Sequence, residues 1–154
     1  MTNVLIGIAG IILFIGLAIA GTLFLGSRFQ DATVNSKASA YVQSVDQVSH
    51  VLSLYRATEG RDFGTGDVDG LVTAGYMKSI PVIAKDSGVV LGNNDGSTAT
   101  LRILPLDQAK RICEAINAQS RGDRTIPEAP SGSAGCYSQP GASGAKYFVF
   151  ANTG

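Results

Sequence analysis

The first 27 residues of the chain are apolar at almost every position and carry no charge. The stretch from Val4 to Leu25 reads VLIGIAGIILFIGLAIAGTLFL, and no Lys, Arg, Asp or Glu occurs before Arg28. As a helix these 22 residues are about 33 Å long, which is enough to cross the hydrocarbon core of a membrane. The pattern predicts a helix over residues 1–27 that is buried in lipid or in other protein.

The apolar segment differs from a secretory signal peptide, which has a basic region, a shorter apolar core and a cleavage site of small residues. No basic residue precedes the apolar run. We therefore expect that a short charged leader has already been removed, or that the sequence is the mature form.

Residues 28–59 continue the helical pattern with a single apolar stripe. Seven apolar residues follow one another at alternating spacings of four and three, which places them on one helix face: Val34, Ala38, Tyr41, Val45, Val48, Leu52 and Tyr55. Neither Gly nor Pro interrupts the run from Ser27 to Glu59, and Gly60 stands where a left-handed residue ends a helix. We predict one helix of nearly 60 residues whose rear half packs on a head. A membrane anchor joined to a coiled-coil stalk is the alternative.

Residues 60–154 form the predicted globular head, which begins with the glycine-rich connection RDFGTGDVDG. Asp67 and Asp69 in this connection suggest calcium binding, but the later Glu of a known calcium loop is absent, so turn formation and capping are favoured. Asp69 is predicted to cap a short helix through Leu71 and Val72 that ends at Gly75.

Three strands and one helix are predicted in the rest of the head. Residues 88–91 and 98–104 favour an antiparallel pair joined by the tight turn GNNDG, and residues 146–151 favour a strand that completes the sheet. Pro105 closes the second strand, and Asp107 is predicted to cap a helix. The inward face of this helix is Ala109, Ile112, Cys113 and Ile116. Residues 120–144 are rich in Gly, Ser and Pro, and are predicted to be loop rather than core.

The two cysteines of the chain, Cys113 and Cys136, both fall in the head. If the head lies outside the cytoplasm, a disulfide between them is expected, and it would tie the helix to the loop. A redox or metal pair is the alternative, but the sequence has no CxxC motif and no histidine near either cysteine.

Charge and motifs argue against nucleic-acid binding and against catalysis. The 12 basic and 12 acidic side chains balance, so no electrostatic reason exists to expect a nucleic-acid partner. His50 is the only histidine, and the chain has no phosphate-binding glycine loop, no GxSxG motif and no suggestive carboxylate pair. No enzyme, metal or cofactor is expected, and a building block or adhesin is favoured.

The order of these elements resembles that of a mature type IV pilin, and more closely the type IVb group and its conjugative relatives. The resemblance rests on the Met1-Thr2 start, the apolar run that continues as an amphipathic helix, the LVTAGY segment from Leu71, and the LDQAKRIC helix followed by the second cysteine. It implies an α+β fold in which the rear half of a long N-terminal helix packs on a small antiparallel-sheet head.

The resemblance also implies a life cycle. The chain would be processed by a prepilin peptidase, held in the inner membrane, and then assembled by the pilus machinery into a helical homopolymer outside the cell. The implied assembly core comprises Met1, Leu5, Ile8, Ile12, Gly16 and Gly21. The family usually has Glu at position 5, where this chain has Leu5, so the N-terminal amine would need other partners, such as Thr2, Asn3 or backbone carbonyls.

The function predicted from these features is that of the major structural subunit of a bacterial type IVb-like pilus used for adhesion or cell contact, with conjugation as one use. A minor pilin or a secretion-system pseudopilin is the nearest alternative. A membrane-anchored binding or sensor domain that never polymerises is an alternative of another class. The uncharged, glycine-bearing first half favours a segment that leaves the membrane over a permanent anchor.

Overall fold

One helix accounts for more than a third of the chain. The computed structural model describes residues 2–61, 63–64, 66–81, 83, 89–91, 98–103, 106–141 and 144–152, without the side chains of 2–6, 23–27, 66–67, 89–91, 98 and 106. Helix α1 runs over Thr2–Glu59, as the uninterrupted pattern predicts. Gly60 follows with φ +66°, and its N–H donates to the carbonyl of Arg56 at 2.9 Å. The left-handed glycine therefore ends the helix at the predicted position.

The chain divides into two compact units, Met1–Thr33 and Val34–Gly154. The first unit contains α1 up to Thr33, including its apolar part. The second contains the remainder of α1 together with the head. Within the described residues it also contains α2, Asp69–Thr73, and α3, Leu106–Arg121.

The head contains a five-stranded antiparallel sheet. In chain order its strands are β1, Gly66–Asp67, β2, Val89–Leu91, β3, Thr98–Arg102, β4, Ala134–Gln139, and β5, Lys146–Asn152. Their order across the sheet is β1-β2-β3-β5-β4, and every neighbouring pair is antiparallel. Val149 of β5 lies opposite Leu101 on one side and Cys136 on the other. The long helix and this sheet confirm the predicted α+β class.

The core of the head lies between the helices and the sheet. All seven residues of the α1 stripe are buried, the most exposed at 7 %. They belong to one apolar cluster with residues from the sheet and both other helices, namely Val68, Leu71, Ala99, Leu101, Ile103, Ala109, Ile112, Cys113, Ile116, Cys136, Val149 and Ala151. The stripe thus supplies one wall of the core, and fully burying a side chain of this kind stabilises a fold by about 1.5–3 kcal/mol.

The segment predicted as loop, residues 120–144, contains strand β4, so that prediction was wrong. Gly135, Cys136 and Tyr137 of β4 are buried. All six residues of β4 pair with β5, and the Tyr137 ring stacks on Phe148 at a centroid distance of 5.4 Å. Pairing with a strongly β-prone neighbour therefore overrides the weak strand preference of this glycine- and serine-rich stretch.

Two predicted helix caps also need correction. Val68 rather than Asp69 precedes α2, and it makes no side-chain capping hydrogen bond, while Asp69 and Asp107 lie within the first turns of α2 and α3. In these positions a carboxylate still interacts favourably with the helix dipole. The strand predicted at 146–151 is present as β5, and it lies between β3 and β4 in the sheet. The predicted hairpin turn at 92–96 and Pro105 lie outside the described residues.

Candidate functional site

From Gly7 to Ala20 the surface of α1 in the first unit is apolar and exposed. Ile8 is 51 % exposed, Ile12 64 % and Phe14 74 %. The other large apolar side chains that are exposed in this unit are Ile11, Leu13, Ile15, Leu17, Ile19 and Phe29. Exposed apolar side chains that follow one another in this way mark a site of contact with protein or lipid. Of the predicted assembly core, Met1 and the side chain of Leu5 lie outside the described residues.

Gly16 and Gly21 lie within this helix and leave open space beside it. A Cβ atom added at either position would meet no atom within 4 Å in the isolated chain. The absence of a side chain is therefore not required for folding of the helix itself. Small residues of this kind let a second helix approach the backbone closely.

Among the described residues, no helix is long and apolar enough to cross a membrane. In the same part of the chain, no group of three or more His, Cys, Asp or Glu residues could hold a metal ion. The side chain of Asp67, considered above for calcium, lies outside that description.

The predicted disulfide between Cys113 and Cys136 is confirmed. It joins α3 to β4 across a Cα–Cα distance of 5.4 Å, and both cysteines are fully buried. Cys113 lies on the buried face of α3, and Cys136 lies in the sheet opposite Val149. The bond therefore fastens the helix to the sheet and closes the segment between them into a ring.

The segment 122–133 inside this ring, which we call the closed loop, is also held by hydrogen bonds at several points. Asp123 begins it with a turn in which the carboxylate accepts from the amide of Thr125 at 3.0 Å and from its hydroxyl at 2.7 Å. These two bonds hold the pKa of the Asp123 carboxyl below its ordinary value. Further hydrogen bonds tie the loop to its neighbours. Arg121 of α3 donates to the Ser131 hydroxyl, and the Ser138 amide of β4 donates to the Pro127 carbonyl. Asn152 of β5 donates through its side chain to the Gly132 carbonyl and through its backbone amide to the Ser133 carbonyl.

Asn117 is the polar residue at the centre of this arrangement, and the sequence interpretation missed it. Its side chain is fully buried and bonds the backbone of both Thr125 and Cys136. A signal for it exists in the sequence, because Asn117 falls four residues after Cys113 on the face that carries Ile116. A buried amide on an apolar face requires hydrogen-bond partners, so such a residue marks a polar attachment point.

An aromatic cluster lies where α1 meets the connection to α2. The Tyr55 ring makes edge contacts with Phe63 and Tyr76, each at a centroid distance of 5.0 Å. The Tyr76 hydroxyl donates to the Glu59 carboxylate at 2.8 Å, and this bond is the main cause that raises the pKa of Tyr76. Beside this cluster is an open cavity of about 310 Å³ whose lining residues are Tyr55, Glu59, Arg61, Ala74, Gly75 and Tyr76. His50 lies outside this cluster and lines a second open cavity with Met77.

Removing the disulfide is expected to lower the free energy of unfolding of the head by about 3 kcal/mol, because the unfolded chain then gains the freedom of an open ring. The measurement compares urea unfolding of the parent chain with that of a variant carrying Cys113→Ser and Cys136→Ser. Dithiothreitol should lower the free energy of unfolding of the parent chain by the same amount and should not change that of the variant. A loss below about 1 kcal/mol would mean that the hydrogen bonds of the closed loop suffice without the covalent link.

Comparison of the chain with models of protein families, with curated proteins and with solved structures gives no match.

Proposed function

We propose that this chain is the major structural subunit of a bacterial type IVb-like pilus. The observation that carries the proposal is the apolar surface of the first unit, where Ile12 and its neighbours are exposed in the isolated chain. Burying one large aliphatic or aromatic side chain is worth about 1.5–3 kcal/mol, so contact with further copies would stabilise an assembly strongly. Filament formation gives these side chains an apolar environment.

The proposed subunit has two roles divided along one helix. The first 27 residues form the filament core, since they carry no charge that would oppose burial. The second unit, with its own buried core and a closed surface loop, forms the outside of the filament. Support for this division comes from the change along α1, which is apolar and exposed from Gly7 to Ile19 and has a buried stripe from Val34 to Tyr55.

The proposal includes a stage in the inner membrane, before the assembly machinery adds the subunit to the filament. The uncharged sequence from Val4 to Leu25 supports this stage, because an apolar segment can exchange lipid contacts for protein contacts at little cost. The disulfide supports export of the head, since such bonds persist in oxidising compartments. The proposed location is therefore the cell surface, in a filament used for contact with cells or surfaces.

Electron microscopy of sheared surface material, combined with mass spectrometry of the filament protein, tests the proposal. Abundant filaments composed mainly of this chain would support a major pilin. Filaments that contain only traces of it would indicate a minor pilin or pseudopilin. If filaments form normally without the chain while all of it stays in the membrane fraction, it is a membrane-anchored domain and the polymer proposal fails.

A further inference from the structure

The side-chain amide of Asn117 forms hydrogen bonds with both the N–H and the C=O of Cys136, an arrangement that we call the amide bracket. Its Oδ1 accepts from the Cys136 N–H at 2.7 Å, and its Nδ2 donates to the Cys136 carbonyl at 2.9 Å and to the Thr125 carbonyl at 2.7 Å. Both Asn117 and Cys136 are fully buried. One amide group therefore satisfies the donor and the acceptor of the same residue, as a neighbouring strand would do.

Strand β4 needs such a partner because it lies at the edge of the sheet. Along an edge strand, the N–H and C=O groups of alternate residues point away from the sheet and lack a ladder partner. At Cys136 these two groups bind Asn117. The side chain of Asn117, on α3, thus takes the place of a further strand at Cys136, the disulfide-bonded residue of β4.

We propose that Asn117 is a positioning residue for disulfide formation, which holds Cys136 beside Cys113 before the sulfur atoms are joined. Asn117 follows Cys113 by four residues on the same helix, so the two side chains project from the same face, one turn apart. Bonds from Asn117 to the backbone of Cys136 therefore set the distance between α3 and β4 independently of the covalent bond. This inference concerns the head alone and does not depend on the pilus proposal.

The reaction needs an oxidant, which here is a small-molecule or protein disulfide. With oxidised glutathione, the thiolate of one cysteine attacks a glutathione sulfur, forms a mixed disulfide and releases one glutathione thiolate. The other cysteine thiolate then attacks the protein sulfur of the mixed disulfide, which forms Cys113–Cys136 and releases the second glutathione. Two protein thiols are oxidised, one glutathione disulfide is reduced to two thiols, and the two thiol protons pass through solvent to the glutathione thiolates.

Asn117 acts on the second of these steps. That step is intramolecular, so its rate and equilibrium depend on how often the two cysteines meet in the reduced chain. Without the amide bracket, Cys136 must reach Cys113 through closure of the whole intervening segment, which carries an entropic cost. With the bracket, the reduced chain already holds the two elements together.

The experiment uses the full chain in detergent micelles, reduced and then equilibrated with mixtures of reduced and oxidised glutathione. The disulfide fraction is measured by alkylation of free thiols and mass spectrometry. We expect Asn117→Ala to lower the equilibrium constant for disulfide formation by about tenfold, on the order of the loss of one or two net hydrogen bonds, and to slow the second step similarly. Ser120→Ala is the matched control, because the Ser120 hydroxyl donates to the Ile116 carbonyl of its own helix at 2.9 Å, and a change below about twofold is expected.

A merely structural role for Asn117 gives a different result. In that case Asn117→Ala lowers the free energy of unfolding by the same amount in the oxidised protein and in the Cys113→Ser, Cys136→Ser protein. The equilibrium constant for disulfide formation then stays within about twofold of the parent value, which is roughly the scatter of a neutral surface substitution. That outcome would overturn the proposal. If the alanine variant does not fold, Asn117→Asp decides, since it keeps the oxygen that accepts from the Cys136 N–H and loses both donated bonds. A parent-like equilibrium constant for a folded Asp variant would contradict the proposal, whereas a reduced one supports it.

Discussion

Filaments are expected to disappear when Ile12 is replaced by Asp, while the head still folds. Ile12 is 64 % exposed in the isolated chain, so the substitution removes little buried surface within the subunit. In the proposed filament core, however, it would bury a carboxylate without a partner, which costs several kcal/mol per subunit. Electron microscopy of sheared material measures assembly, and alkylation of free thiols shows whether the Cys113–Cys136 disulfide of the head has formed.

The matched control for this experiment is Asn35→Asp, which adds the same charge at an exposed position of α1 in the second unit. This variant should assemble normally, since its carboxylate stays in water. Normal filaments from Ile12→Asp would show that this segment is not the buried core. Gly16→Leu gives an independent check, because a Cβ added there meets no atom within 4 Å in the isolated chain, so the larger side chain is expected to oppose mainly the close approach of a second helix.

Replacing Phe150 with Ala is expected to lower the free energy of unfolding of the head by about 3–5 kcal/mol. Among the described residues, Phe150 is the largest side chain that is fully buried, and its ring lies 5.8 Å from that of Tyr137. Its removal would leave a cavity between β5 and the elements packed on it. Urea unfolding followed by tyrosine fluorescence measures the effect, since the chain has no tryptophan.

Phe29→Ala deletes the same ring at a site that is 68 % exposed, and it should change head stability by less than about 0.5 kcal/mol. The comparison separates the effect of burial from the effect of losing an aromatic residue. Equal losses from the two variants would contradict the assignment of Phe150 to the core.

The helices could be predicted from sequence because their patterns are long and strongly periodic. The alternating spacing from Val34 to Tyr55 identifies a buried face without knowledge of what covers it, and the buried face of α3 follows the same rule. Strand β4 could not be predicted in this way. Its residues, AGCYSQ, have little strand preference of their own, and their conformation depends on pairing with β5.

The parts of the candidate site also differ in whether the sequence predicts them. The exposed apolar side chains of the first unit and the two cysteines are recognisable from composition and from their position in the sequence. Asn117 is different, because its importance arises from partners 8 and 19 residues away, Thr125 and Cys136, that only the folded chain brings together. The capping assignments at Asp69 and Asp107 failed for a related reason, since the helix boundaries differ from the sequence estimate by only one or two residues.

The internal position of β5 has a consequence for the order of synthesis. Strands β3 and β4 are joined in the sheet only through β5, which follows both of them along the chain. During synthesis and export, β4 therefore emerges before the strand that will hold it in the sheet. Cys113 and Cys136 also emerge before β5, so for this interval α3 is the element already available to receive β4.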